Sequence, residues 1–132
     1  MKKLKFPIFV LAILLIAGYV VMVVAPKPMS ADLSLIGQGK PALVLAYENY
    51  SPGGADALTR LKQIRSDYES LLNFNVADLG TPDGRGFGNR YQIVDGQAVF
   101  LSGSGRPLAR MFIPADESRL RETLEQQLAA AN

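Results

Sequence analysis

Neither cysteine nor histidine occurs anywhere in the 132 residues, and each absence closes a class of chemistry. Without a thiol there is no disulfide exchange, no thiolate nucleophile and no cysteine-held metal. Without an imidazole the chain lacks the commonest metal ligand, the commonest general base, and any Ser-His-Asp or Cys-His arrangement. Carboxylate, lysine, tyrosine and hydroxyl chemistry stay open, but no carboxylate cluster stands out from the rest of the sequence. No catalytic residue, metal or other cofactor is therefore expected, and the chain is not read as an enzyme. Missing cysteine does not itself assign a redox compartment, so location has to come from topology.

Negative charge is scarce at one end only. The first 30 residues hold Lys2, Lys3, Lys5 and Lys27 and no acid, which leaves ten of the 14 basic residues to face all 12 acidic ones. The remainder thus carries a net charge of −2, although the whole-chain pI is about 9.0. An acidic domain without a basic stripe lacks the electrostatic footprint behind most nucleic-acid affinity, so no nucleic-acid partner is expected. The basicity reports membrane topology instead.

What is present begins with FPIFVLAILLIAGYVVMVVA, residues 6–25, without a single charge. As a helix this stretch is about 30 Å long, one hydrocarbon thickness, and the lipid bilayer is its expected surrounding. A cleaved signal peptide competes with this reading, but its apolar region usually runs only about 7–15 residues. The best cleavage match, Val23-Val24-Ala25, is followed at once by Pro26. An uncleaved anchor is the preferred reading. Lysine at three of the first five positions places the N-terminus in the cytoplasm by the positive-inside rule. The expected organisation is a cytoplasmic 1–5, a transmembrane helix 6–25, a linker 26–39 that leaves the bilayer through a stiff Pro26-Lys27-Pro28 spacer, and a domain 40–132 outside. In a bacterium that is the periplasmic side of the inner membrane.

Roughly 100 residues remain, one ordinary domain that can stand without disulfides or metal. After a polar lead-in from Ser30 to Lys40, Pro41–Tyr47 (PALVLAY) is a continuous apolar run of the kind buried on both faces of a parallel sheet. Leu58, Leu61, Ile64, Tyr68, Leu71 and Leu72 follow at helical spacing. Phe74, Val76 and Leu79 alternate with polar residues over a strand length, and Thr81-Pro82 supplies an N-cap and first-turn proline for a helix that three glycines weaken. Ala98–Leu101, the turn Ser102-Gly-Ser-Gly105, and Pro107–Ile113 read as a hairpin. Asp116 caps a last helix carrying Leu120, Leu124 and Leu128 on one side. The order is β-α-β-α-β-β-α.

Over Lys40 to Gln127 this pattern resembles the thioredoxin family, which implies an α/β fold with a four-stranded mixed sheet flanked by helices, here preceded by one transmembrane helix. The likeness lies in pattern, and the family's motifs depart at three places. The Trp-Cys-Gly-Pro-Cys segment falls on Tyr50-Ser51-Pro52-Gly53-Gly54, without either cysteine. The buried strand aspartate falls on Leu45. The cis-proline turn falls on Tyr91 to Ala98 and places Gln97 at the proline. A buried carboxylate is costly and kept where its charge is used, so leucine at 45 fits a site without a thiol. The resemblance therefore implies a redox-inactive, membrane-anchored member.

Other features have plainer readings. The segment Thr81 to Gly88, TPDGRGFG, lacks the spacing and lysine of a phosphate-binding loop and reads as a flexible loop. The turn Ser102 to Gly105 reads as glycine chosen for positive φ. The charged side of the last helix, with Arg119, Arg121, Glu122 and Glu125, reads as solvated surface. Tyr47 ends a strand inside the core, while Tyr50 sits in a loop with little reason to be buried.

Subtraction of catalytic groups from an intact scaffold and anchor suggests a non-catalytic interaction protein, an accessory or assembly subunit of a membrane complex. Tyr50, Ser51, Pro52, Gly53, Gly54 and Gln97 are its candidate contacts with a protein partner, since the resemblance sets them side by side at one end of the sheet. A partner held through the membrane helix, where Gly18 permits close packing, stays open. So does a peptide- or substrate-holding module that uses the groove beside Tyr50 and Gln97. An enzyme built on Tyr50, Ser51 or Glu48 would need a neighbouring base that the sequence does not show.

Overall fold

The structure, a computed structural model, describes residues 2–24 and 28–131. The expectations attached to Met1, to Pro26-Lys27 and to Asn132 fall outside these residues. Helix α1 (Lys2–Val24) opens on Lys2, Lys3 and Lys5 and is apolar throughout from Phe6 onward, unlike an amphipathic surface helix. Its stretch Lys5–Val23 is long and apolar enough to cross a membrane and is not buried by the rest of the described residues.

The apolar run after Lys40 becomes β1 (Ala42–Tyr47), followed by α2 (Pro52–Tyr68), β2 (Asn73–Asp78), α3 (Pro82–Tyr91), β3 (Gln97–Leu101), β4 (Pro107–Phe112) and α4 (Glu117–Ala131). The sheet order is β2-β1-β3-β4, with β1 parallel to β2, β3 antiparallel to β1 and β4 antiparallel to β3. This is the expected four-stranded mixed sheet. β1 is a central strand, and side chains on a strand alternate between faces, so a strand covered on both sides has to be apolar at every position. Leu43 and Leu45, with Phe74, Val76, Ala98 and Phe100, pack beneath Leu61 and Ile64 of α2 and Leu120 and Leu124 of α4. Val44 and Ala46, with Ala77, Val99 and Leu101, face Phe87 and Tyr91 of α3 and the Leu33 and Ile36 side chains.

Three local readings change. The Thr81–Gly88 segment is the N-cap and first turns of the helix that Thr81-Pro82 announces, and not a flexible loop. Thr81 Oγ1 accepts from the Gly84 amide at 3.1 Å, Pro82 starts the helix, and two of its glycines provide closeness. A Cβ on Gly84 would collide with the Asp78 carbonyl, and one on Gly88 would lie 2.9 Å from the Leu79 side chain. The expected in-and-out pattern of β2 is replaced by a buried run from Phe74 to Ala77, and Leu79 lies beyond the strand. The cause is the segment read as linker, which packs onto the domain. Met29 is buried, Ser30 bridges to Asn75, and the Val76 amide donates to Ser30 O at 2.9 Å. Asn75 Nδ2 in turn donates to Asp32 O at 2.9 Å. Asp32 caps a short 3-10 helix (Leu33–Leu35), and hydrogen bonds from the Ser34 hydroxyl and amide hold its carboxyl below the ordinary carboxylate value. Finally, the last helix is latched on its charged side: Arg121 donates to Asp67 at 2.7 Å and to Glu117 at 3.1 Å and lies over the Tyr68 ring.

Candidate functional site

At the carboxyl end of β1 the chain turns sharply, with the Ser51 amide donating to Glu48 O at 3.1 Å. Asn49 and Tyr50 occupy the corner of this turn. Ser51 takes the extended backbone of an N-cap and Pro52 fixes the first helical φ, yet the Ser51 hydroxyl makes no capping bond. The cap comes from elsewhere in the chain. Asp95, in the turn before β3, accepts from the Glu48 amide at 2.7 Å and from the Gly54 amide at 3.0 Å. A carboxylate at this place meets the positive end of the helix dipole and two orphan N–H donors, so it joins the loop, α2 and β3 through one side chain.

Glycine is required around that carboxylate by space. A Cβ on Gly54 would run into the Asp95 carboxylate and crowd the Tyr47 ring. Gly96 has φ +82°, and a Cβ there would stand 3.4 Å from the Gly53 carbonyl carbon, while its amide donates to Ala46 O at 3.0 Å. Two backbones thus lie against each other, and the Asp95 carboxylate fills the volume that a side chain at position 54 would take. Asp95→Ala is expected to lower stability by about 2 kcal/mol, since it strips charge-assisted bonds and leaves the half-buried Gly54 amide unpaired. Thermal melting of the full chain in detergent measures the loss, and faster hydrogen exchange of the Glu48 and Gly54 amides localises it.

Of the residues singled out in the sequence, the structure gathers Gly53 and Gly54 against the turn at Asp95-Gly96. Tyr50 stands at the rim, 97% exposed. Pro52 is exposed, Ser51 half-buried and Gly54 buried. Gln97 faces differently from its expectation: its Oε1 accepts from the Val94 amide at 3.3 Å, so its amide is folded back on its own turn. Leu45, where the family's aspartate would stand, is fully buried among apolar side chains. Asp95 is the residue that the sequence reading missed. Its only local signal is the Asp-Gly pair ahead of a strand, a common turn sequence that does not show where the carboxylate points. Among the described residues, no group of three or more acidic side chains is placed to hold a metal ion.

No protein-family model matches the chain and no curated protein matches it in sequence. Solved structures do match. A thioredoxin from Thermus thermophilus superposes with a TM-score of 0.65 at 16% identity, over 80% of this chain and 92% of that one. The germline-specific thioredoxin Deadhead of Drosophila melanogaster gives 0.57 at 20% identity, over 68% and 83%. A thioredoxin-like protein of Clostridium perfringens gives 0.59 at 15% identity, over 68% and 72%. The chain has a thioredoxin-like fold with no cysteine in it.

Proposed function

We propose that this thioredoxin-like fold, without cysteine and with its redox position filled by an internal carboxylate, is a non-catalytic interaction domain held at a membrane by α1. In this reading it is an accessory or assembly subunit of a membrane complex, with the N-terminus cytoplasmic and the domain on the far side, the periplasm in a bacterium. The observation that carries it is Tyr50. A large aromatic side chain at 97% exposure sits on a turn whose backbone is tied down on both sides by Asp95. An aromatic on a rigid support loses little entropy on binding and suits the centre of a protein contact. Gly53 beside it, exposed and without a side chain, lets a partner's backbone come close.

Tyr50→Ala tests the reading in full-length protein purified from native membranes. Co-purification of the partner is expected to weaken by more than about 1 kcal/mol while the melting temperature stays unchanged, because the side chain contributes nothing to the core. Normal binding by Tyr50→Ala, together with release by Gly18→Leu, would move the docking site into the membrane helix.

A further inference from the structure

The two edges of the sheet are treated differently. The β2 edge is closed by the chain's own Ser30, which bridges to Asn75. Among the described residues β4 pairs with β3 alone, so alternate N–H and C=O groups along its other edge face outward. Pro107 and a register shift at Leu108, opposite Phe100 and Leu101, blunt its first residues, which leaves a regular edge over 109–112. That edge ends in Phe112, 64% exposed. On the α3 side of the same edge lies a groove of about 520 Å³ lined by Arg90, Tyr91, Gln92, Leu108 and Arg110, with no acidic residue in its wall.

Basic residues are concentrated in this stretch of the chain, although Arg90 also borders a second pocket that contains Asp32 and Asp83. Residues 84–115 contain Arg85, Arg90, Arg106 and Arg110 against one acid, while the rest of the domain has six basic and eleven acidic residues. The single acid is Asp95, whose two oxygens are committed to the Glu48 and Gly54 amides. Among the described residues, none of the four arginines is ion-paired. Arg90 lies over the Tyr91 ring at 5.4 Å, and Arg110 donates to Gln92 Oε1 at 3.3 Å. Both guanidiniums therefore retain donors for a carboxylate and are held in place by uncharged neighbours.

We propose that the β4 edge binds an extended, acidic segment of a partner protein by strand addition. The segment's backbone continues the sheet along 109–112, its alternate side chains enter the groove, and its carboxylates meet Arg90 and Arg110. The groove shares no lining residue with the Tyr50 turn, so either can fail without the other. A short peptide of alternating glutamate and valine, and its glutamine counterpart, are the probes, titrated against the full chain in zwitterionic nanodiscs. The glutamate peptide is expected to bind, to weaken with added salt, and to slow amide exchange between Ala109 and Phe112. Arg90→Glu and Arg110→Glu are each expected to weaken binding by about tenfold or more without lowering the melting temperature. Equal binding of the glutamine peptide, unchanged binding by both variants, or protection confined to other segments overturns the proposal. So does concentration-dependent self-association that protects the same amides without peptide, or loss in the variants of binding to anionic vesicles but not to peptide.

Discussion

Leu45→Asp is expected to unfold the domain. Leu45 is inaccessible to solvent, sits in the central strand opposite Val76 on one side and Ala98 on the other, and packs among the side chains of the α2 and α4 face. An aspartate there removes a leucine's apolar burial and has no partner within that cluster to offset its desolvation. The combined loss is about 4 kcal/mol or more, which exhausts most of the stability of a domain of this size, usually about 5–15 kcal/mol. Denaturant titration of the full chain in detergent measures it, with Leu45→Met as the volume-conserving control that should cost under about 1.5 kcal/mol. The resemblance to the thioredoxin family implies an aspartate at this position, so the experiment also asks whether this interior has any use left for a charge. A variant as stable as the parent would place Leu45 outside the core and break the strand register.

Gly84→Ala is expected to cost about 3 kcal/mol or more, and Gly86→Ala, two residues along the same helix, to stabilise the protein by about 0.5–1 kcal/mol. The added methyl at 84 would occupy the space of the Asp78 carbonyl, whereas at 86 it meets nothing within 4 Å. Backbone atoms cannot rotate out of the way as a side-chain tip can, so α3 would have to lift from β2 and take Phe87 and Tyr91 away from the second cluster. Thermal melting of the two variants checks the pair. Opposite signs are the signature of close packing, and two equal stabilisations would mean that these glycines only loosen the helix.

Much of the architecture is legible from local pattern. The unbroken apolar run Ala42–Tyr47 announces a strand covered on both faces, the helical spacing of Leu58, Leu61 and Ile64 announces α2, and Asp116 announces α4, because burial period and end-capping are properties of neighbouring residues. The glycines of TPDGRGFG misled for the same reason. Glycine signals freedom locally, and whether a fold spends it on a flexible loop or on a close helix–strand approach depends on what lies opposite. The Ser30–Lys40 segment looked like a lead-in because its partners, Asn75 and Gly103, are far along the chain.

The candidate site divides in the same way. The resemblance to the thioredoxin family sufficed to put the turn after β1 beside the turn before β3, and the absence of cysteine sufficed to exclude disulfide chemistry. That the carboxylate of Asp95 crosses between those turns to cap α2, and that the Gln97 amide folds back onto Val94 instead, was decided only in three dimensions. The sequence by itself determined composition, charge distribution, the apolar helix and the order of elements, since each is written in residues close to one another. Tertiary structure decided which donors lacked a local partner, which side chain reached them, and which sheet edge was left open, since a hydrogen bond between distant residues exists only once the chain has folded around it.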